Sequence, residues 1–418
     1  MPAACDAIVV GGGIVGCSTA WHLAQRGLEV VLVEREPDVG MGSTAASTAI
    51  IRQRYSHPDA MALALEGLRT WERWPDLVPA DADGARAALR PVGVLFLLPA
   101  GEPTTAPLIE AMRSQGIAAE RLDRASIAAR FPALQVPEGE RVEGLHEPEG
   151  GYVDDPSRAT ADVARAAGAL GVKFVLGRAL AEVETAWDGP GLAVRGVRLR
   201  DGERIAAPVV VNAAGPHSGW LNLVARSPLP LATAPLRQMV VDGRAPRLAP
   251  ASLPVIADLL SGFYLRPDPG RVRIGAVWPR DETDFLTDPD RADPVVPEAV
   301  IAARIAAARG RVPGLEVESP RGLVGVYDVT IQDWYPIVDR TDTRGYFVAV
   351  GTSGAWFKSG PVIGRLAAEM VIAACDGRDT DRDPLIVDLP LARRRFPMAL
   401  LARRRAPIPL AYGGGVLG

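Results

Sequence analysis

The chain has 418 residues, too many for a single hydrophobic core, and so implies two domains. With 48% hydrophobic and 23% charged residues it has an ordinary soluble composition, and its net charge of −4 gives no large positive field for nucleic acid or anionic lipid. Its three cysteines (Cys5, Cys17, Cys375) form no CxxC pair and its four histidines (His22, His57, His146, His217) leave little for a metal centre. Zinc sites and a disulfide framework are not expected, and a reducing cytoplasm fits. No apolar run approaches the roughly 20 residues that span a bilayer. The first residues run straight into a strand pattern, which predicts a chain without a signal peptide.

Residues 7–10 (Ala-Ile-Val-Val) predict a short buried strand entering glycines. Residues 14–26 carry apolar residues at helical spacing and end at Gly27, which fits a left-handed C-terminal cap. A second apolar strand over 28–33 ends at Glu34, giving the strand–loop–helix–strand start of a doubly wound sheet. Residues 43–56 are Ser/Thr-rich and then basic, and 59–77 read as an amphipathic helix. Strand and helix signals alternate from about 85 to 145, with 93–98 the clearest strand. A helix over 157–170 precedes a strand over 172–176. Residues 209–215 form another buried strand running into a glycine turn. The stretch 230–320 predicts an antiparallel sheet with a helix near 297–309. A buried strand over 344–349 and a loop-then-helix over 354–374 follow. The arginine triplets 393–395 and 403–405 predict a solvated, extended tail.

Gly11-Gly12-Gly13-Ile14-Val15-Gly16 fits the pattern G-x-G-x-x-G. Gly11 permits the tight turn after the strand, Gly13 lets a pyrophosphate approach the backbone, and Gly16 lets helix and strand pack closely. The helix N-terminus, with Ile14 and Val15, offers N–H groups and a positive dipole end to phosphate. Glu34 stands where a carboxylate accepts the adenosine ribose hydroxyls and disfavours a 2′-phosphate. After Arg35, the small polar segment Gly42-Ser43-Thr44-Ala45-Ala46-Ser47 suits a pyrophosphate and ribityl chain, which selects FAD over a nicotinamide cofactor.

Four segments then resemble the D-amino acid oxidase family of FAD-dependent oxidoreductases, and within it the sarcosine oxidase (beta subunit-like) branch. They are residues 11–34, 42–55, 209–218 (Val-Val-Val-Asn-Ala-Ala-Gly-Pro-His-Ser) and 326–358, the last with Tyr327-Asp328-Val329-Thr330 and Gly351-Thr352-Ser353-Gly354-Ala355-Trp356-Phe357-Lys358. The resemblance implies an α/β fold: a Rossmann-like, doubly wound, glutathione-reductase-type FAD-binding domain (1–84, 146–228, 321–388) with an inserted α+β substrate domain built on an antiparallel sheet (85–145, 229–320) and a tail (389–418). It also implies oxidation of a secondary amine or amino acid carrying a carboxylate, with hydride passing to flavin N5, an imine product, and electrons going to O2 or another acceptor. Arg52 resembles the arginine that grips the substrate carboxylate, Lys358 its second partner, and Tyr327 a tyrosine near the substrate head. Arg273 falls where the branch has a lysine over flavin N5 that promotes oxygen reduction. Cofactor contacts are further implied for Val183, Ala214, Gly215, Gly351, Gly354, Ala355, Trp356, Phe357 and Lys358.

The chain departs from the family pattern in informative places. The tethering cysteine position falls at Gly325, and the histidine after the Glu34 strand is missing, so FAD is expected to be non-covalent. The Gly-His-Gly-Phe-Lys loop reads Gly354-Ala355-Trp356-Phe357-Lys358, and Val277 stands near the place of a substrate-side histidine. Sarcosine itself is therefore doubtful, and a bulkier amine fits better. A 2-hydroxy acid as substrate, a dehydrogenase subunit in a complex, a homo-oligomer and a non-catalytic flavin-binding protein all remain open.

Overall fold

The strands Ala7–Val10 and Val30–Val33 are short runs of aliphatic residues, buried throughout, as strands covered on both faces must be. The computed structural model describes residues 4–248, 253–278 and 283–409. The two strands pair in parallel, Ala7 opposite Val30 and Val10 opposite Val33, with the helix Ile14–Gln25 crossing between them. They centre a six-stranded sheet in the order Ile337–Arg340, Tyr346–Val350, Val209–Asn212, Ala7–Val10, Val30–Val33, Lys173–Val175. Every pairing is parallel except that of the edge strand Ile337–Arg340. This is the expected doubly wound unit, assembled from three separated stretches of chain.

Both excursions meet in one eight-stranded sheet, ordered Glu318–Thr330, Thr233–Arg244, Arg271–Ala276, Phe263–Asp268, Val255–Asp258, Val94–Pro99, Val142–Glu147, Glu120–Leu122. The two excursions join where Val94–Pro99 and Val255–Asp258 pair in parallel, Val94 opposite Val255 and Phe96 opposite Ala257. Side chains alternate across this sheet. Val94, Phe96, Val255 and Ala257 face the core shared with the nucleotide-binding unit. Leu95, Leu97 and Ile256 face the other way and pack with Ile305 and Ala308 of the helix Glu298–Arg311.

Two boundaries differ from the sequence reading. The strand Glu318–Thr330 belongs to the eight-stranded sheet, so the chain rejoins the nucleotide-binding sheet at Ile337 and not at 321. Residues 386–409 are not an extended tail. Ile386–Leu389 and Arg394–Pro397 form a hairpin, and Arg403 and Arg405 are buried among acids. Arg403 meets Asp339, Asp342 and Asp381, and Arg405 meets Asp333, carboxylates that come close only once the chain has folded.

Candidate active site

The glycine loop opens onto a long cavity. Gly11 sits at φ +112, and a Cβ there would lie 2.2 Å from the Ala213 carbonyl oxygen. A Cβ on Gly16 would lie 1.9 Å from the Gly11 carbonyl, so helix and strand reach this approach only with glycine. The cleft beyond has a volume of about 940 Å³ and runs from Glu34 and Arg35 past Gly11, Gly13, Ile14 and Val15 to Ser43–Ala46, Ala214, Gly215, Gly325 and Tyr327. Glu34 stands at one end, where its carboxylate accepts the N–H groups of Gly12 and Glu36. Thr44 Oγ1 accepts the Ile14 N–H at 3.3 Å, and Ser43 Oγ donates to the Val326 carbonyl at 2.6 Å. A long cleft with an acid at one end, a helix N-terminus fronted by glycines and a hydroxyl-bearing wall fits an extended dinucleotide such as FAD.

A second cavity of about 70 Å³ adjoins it, and Tyr327 lines both. Its floor is set by the two-residue strand Ile50–Ile51, which pairs with Gly151–Val153 and delivers Arg52 inward. Lys358 arrives from the turn before the helix Gly360–Cys375, and Trp71 pins that turn by donating to the Lys358 carbonyl at 2.7 Å. Both cations are buried, 4% and 2% exposed, and both line the cavity. The guanidinium of Arg52 lies 4.5 Å from the Tyr55 ring centre, and Lys358 Nζ donates to Tyr55 Oη at 3.1 Å and also to the Ala355 carbonyl. Burial and the neighbouring Arg52 charge hold the Lys358 ammonium well below the usual lysine range, with Glu147 opposing them. Glu147 is itself buried and accepts the N–H groups of Gln53 and Arg54, each at 2.7 Å. Desolvation pushes its carboxyl up.

Other expected residues fall elsewhere. Arg273 lines neither cavity: its guanidinium reaches the Ser47 carbonyl at 3.5 Å and Asp242 at 3.7 Å, drawn by a carboxylate that also pairs with Arg271 and Arg321. Val183 is buried in the strand Leu180–Asp188 within a hydrophobic cluster, and Arg178, Ala179 and Leu180 line the cleft in its place. Ser47, Gly354, Ala355, Phe357 and Lys358 line the small cavity and not the cofactor cleft. Gly351 gives its N–H to Asp328 Oδ2 at 2.7 Å, while its neighbours Val350 and Thr352 line the cleft. Asp328 is fully desolvated there, and its carboxyl is pushed up to about 7. Trp356 points into the interior: it is 1% exposed, stacks on Tyr55 with ring centres 4.8 Å apart, and donates to the Trp334 carbonyl. It backs the pocket without lining it. Arg35 caps the cleft by pairing with Asp290 and His217.

Sequence reasoning missed Tyr55 and Glu147 beside the two cations, and Gln238 and Arg304, which also line the small cavity. Tyr55 had a signal, an aromatic residue following two arginines in a resembling segment. Glu147, Gln238 and Arg304 sit in ordinary strand and helix patterns with nothing to distinguish them.

A dinucleotide cleft in a doubly wound sheet, joined through one tyrosine to a cationic cavity under a mixed, mostly antiparallel sheet, defines an oxidoreductase of the flavoprotein class. The chain belongs to the DAO family of FAD-dependent oxidoreductases, whose model matches residues 6–370. It is 28% identical over 382 residues to the sarcosine oxidase subunit beta of Rhizobium meliloti (strain 1021), covering 88% of this chain and 84% of that one. It is 25% identical over 379 residues to the monomeric sarcosine oxidase of Bacillus sp. (strain B-0618), covering 88% and 92%. The L-proline dehydrogenase structure from P. horikoshii shares its fold, with a TM-score of 0.77 at 22% identity over 94% of this chain and 96% of that one.

Proposed function

We propose that this FAD-dependent oxidoreductase oxidises an amine or amino acid that carries a carboxylate. The observation that carries this reading is the convergence of Arg52 and Lys358, distant in sequence and both buried, on a cavity that shares Tyr327 with the cofactor cleft. Similarity to two sarcosine oxidases supports it. Arg52 and Lys358 hold the carboxylate, the guanidinium by its planar pair of donors and the lysine as a compact one. Tyr327, at the junction, orients the nitrogen-bearing carbon toward the cofactor. FAD, when bound, supplies the two-electron acceptor. The cations also disfavour an ammonium in the cavity and so favour the neutral amine that oxidation requires. Val94, Phe96, Val255, Ala257 and Val277 line the rest and exclude water from the reacting carbon.

FAD is held without a covalent bond in this reading. No cysteine lines the cleft among the described residues, and His217, the one histidine there, is engaged by Arg35 and Asp290. Acid precipitation should release the yellow colour into the supernatant. Oxygen is the proposed final acceptor, giving hydrogen peroxide, and an oxygen electrode reads it directly. Anaerobic mixing with a panel of N-methyl amino acids, primary amino acids, plain amines and 2-hydroxy acids tests the substrate class. Carboxylated amines should bleach the flavin absorbance. Bleaching by hydroxy acids alone would overturn the reading, as would bleaching by dithionite and nothing else.

A further inference from the structure

One wall of the small cavity is a row of side chains set by strand register. Phe96 stands opposite Ala257, Ala257 opposite Tyr264, and Tyr264 opposite Gly275, across four neighbouring strands of the eight-stranded sheet. Residues paired in this way share one face of the sheet. That face is turned to the cavity, which Phe96, Ala257 and Tyr264 all line. The row therefore runs ring, methyl, ring, no side chain. Phe96 and Tyr264 stand two strand spacings apart, roughly 10 Å, and only the Ala257 methyl rises between them.

The glycine end of the row keeps the space above Ala257 open. A Cβ on Gly275 would lie 2.3 Å from the Tyr264 ring, so the ring leans over Gly275, on the side away from Ala257. A side chain at 275 would push that ring back over the alanine. Along the strands the slot continues over Val94 and Val255, which pair with each other two residues before Phe96 and Ala257 and also line the cavity. Its floor is aliphatic and its two sides are aromatic rings. Arg304 borders the same cavity, where its Nη1 donates to the Gly262 carbonyl at 3.5 Å.

The size of the cavity limits what the slot can hold. A volume of about 70 Å³ accommodates on the order of six water-sized groups. A carboxylate, an amine and the carbon joining them use most of that, which leaves room for a short alkyl group and none for a further aromatic ring. We propose that the nitrogen-bearing carbon of the substrate carries a short alkyl group seated in this slot, over Ala257 and between the Phe96 and Tyr264 rings. The proposal rests on the carboxylated-amine reading above and narrows it to small aliphatic amino acids and their N-alkyl derivatives. Ala257 is the specificity-determining residue: each methylene buried against the slot favours binding, and a larger side chain at 257 takes the same space.

Titration of the holoenzyme with unreactive acids, followed by the flavin visible spectrum, tests this. Acetate, propanoate, butanoate and pentanoate should bind progressively tighter, by about two- to fourfold for each added methylene. Phenylacetate and glutarate should each bind more weakly than pentanoate. Ala257→Val should weaken pentanoate about tenfold or more and leave acetate unchanged. Equal affinities for acetate and pentanoate in the wild type would overturn the proposal and leave the carboxylate clamp standing, and this comparison needs no variant to fold. Pentanoate binding unaltered in Ala257→Val would likewise refute the slot. Phenylacetate binding more tightly than pentanoate would overturn the proposal by showing room for a ring, and glutarate doing so would overturn it by showing a second anion in place of the alkyl group. If no acid perturbs the spectrum, the carboxylated-amine reading fails and the proposal falls with it.

Discussion

Lys358 is a cation placed where a lone cation is disfavoured. Desolvation and the adjacent Arg52 charge lower its pKa well below the ordinary lysine value, so the empty cavity favours loss of its proton. A bound carboxylate restores the favourable partner and raises that pKa again. Binding of an anion must then take up a proton wherever the pH lies between the free and bound values, and affinity must fall as pH rises through the bound value. Calorimetry of pentanoate binding in buffers of different ionisation heat, repeated across pH, should show a window of net proton uptake below the ordinary lysine range. The uptake should vanish in Lys358→Met, and no uptake by the wild type would mean that the lysine already carries its charge in the empty site. The identity of this residue was legible from the Gly-x-x-Phe-Lys segment. Its electrostatic state was not, because the neighbours that set it, Tyr55, Arg52 and Glu147, come from a different strand, loop and sheet.

The segment 330–335 shows how an element far from the chemistry shapes the site. Trp334 sits at φ +61, a left-handed conformation unfavourable for tryptophan, and its carbonyl accepts Trp356 Nε1 at 3.1 Å. Asp333 holds the bend: its oxygens accept the N–H of Tyr335 at 3.0 Å and that of Ile408 at 3.2 Å, and they meet Nη2 and Nε of Arg405 at 2.9 and 3.2 Å. Arg405 also donates to the Tyr335 carbonyl at 3.0 Å. Arg405 thus clamps the wall behind Tyr55 and Trp356. Arg405→Ala leaves the fully buried Asp333 carboxylate without its cation and should destabilise the protein by about 3–5 kcal/mol in urea denaturation. A change below about 1 kcal/mol would show that this pair is not structural. Local periodicity located the strands and helices well, including residues 157–170 and 297–309. It misjudged Arg403 and Arg405, though not the exposed Arg393, Arg395 and Arg404, because a charge run reads as solvated unless its partners are known, and Asp333, Asp339 and Asp381 reveal themselves only through tertiary contact. The direction of Trp356 is not legible in the sequence for the same reason: a tryptophan after a glycine loop can face pocket or core, and stacking on the buried Tyr55 ring, away from the cofactor cleft, corrects the expected cofactor contact.

Across the whole molecule the glycine fingerprint and Glu34 made the cofactor half of the fold readable, since each backbone constraint there is local. The closure of the cleft was not readable. Residues 287–290 cross from the substrate unit and line the cofactor cleft, where Asp290 meets Arg35 at 2.7 Å and His217 at 3.0 Å. All three groups are partly exposed, so the strap should tune cofactor retention modestly. Asp290→Ala should raise the FAD dissociation constant about two- to fivefold, read by flavin fluorescence on dilution, and should leave thermal stability of the apoprotein unchanged. An unaltered dissociation constant would mean that the strap rests on the surface without holding the cofactor. In the other cavity, Arg52 and Lys358 are the cations proposed to grip one anionic substrate group. The most direct measurement is steady-state kinetics of wild type and Arg52→Ala on an N-methyl amino acid that turns over and on the matching amine lacking its carboxylate. The substitution should raise KM for the carboxylated amine at least about tenfold, the worth of a charge-assisted contact, while KM for the plain amine barely moves. Equal changes for both substrates would contradict that grip.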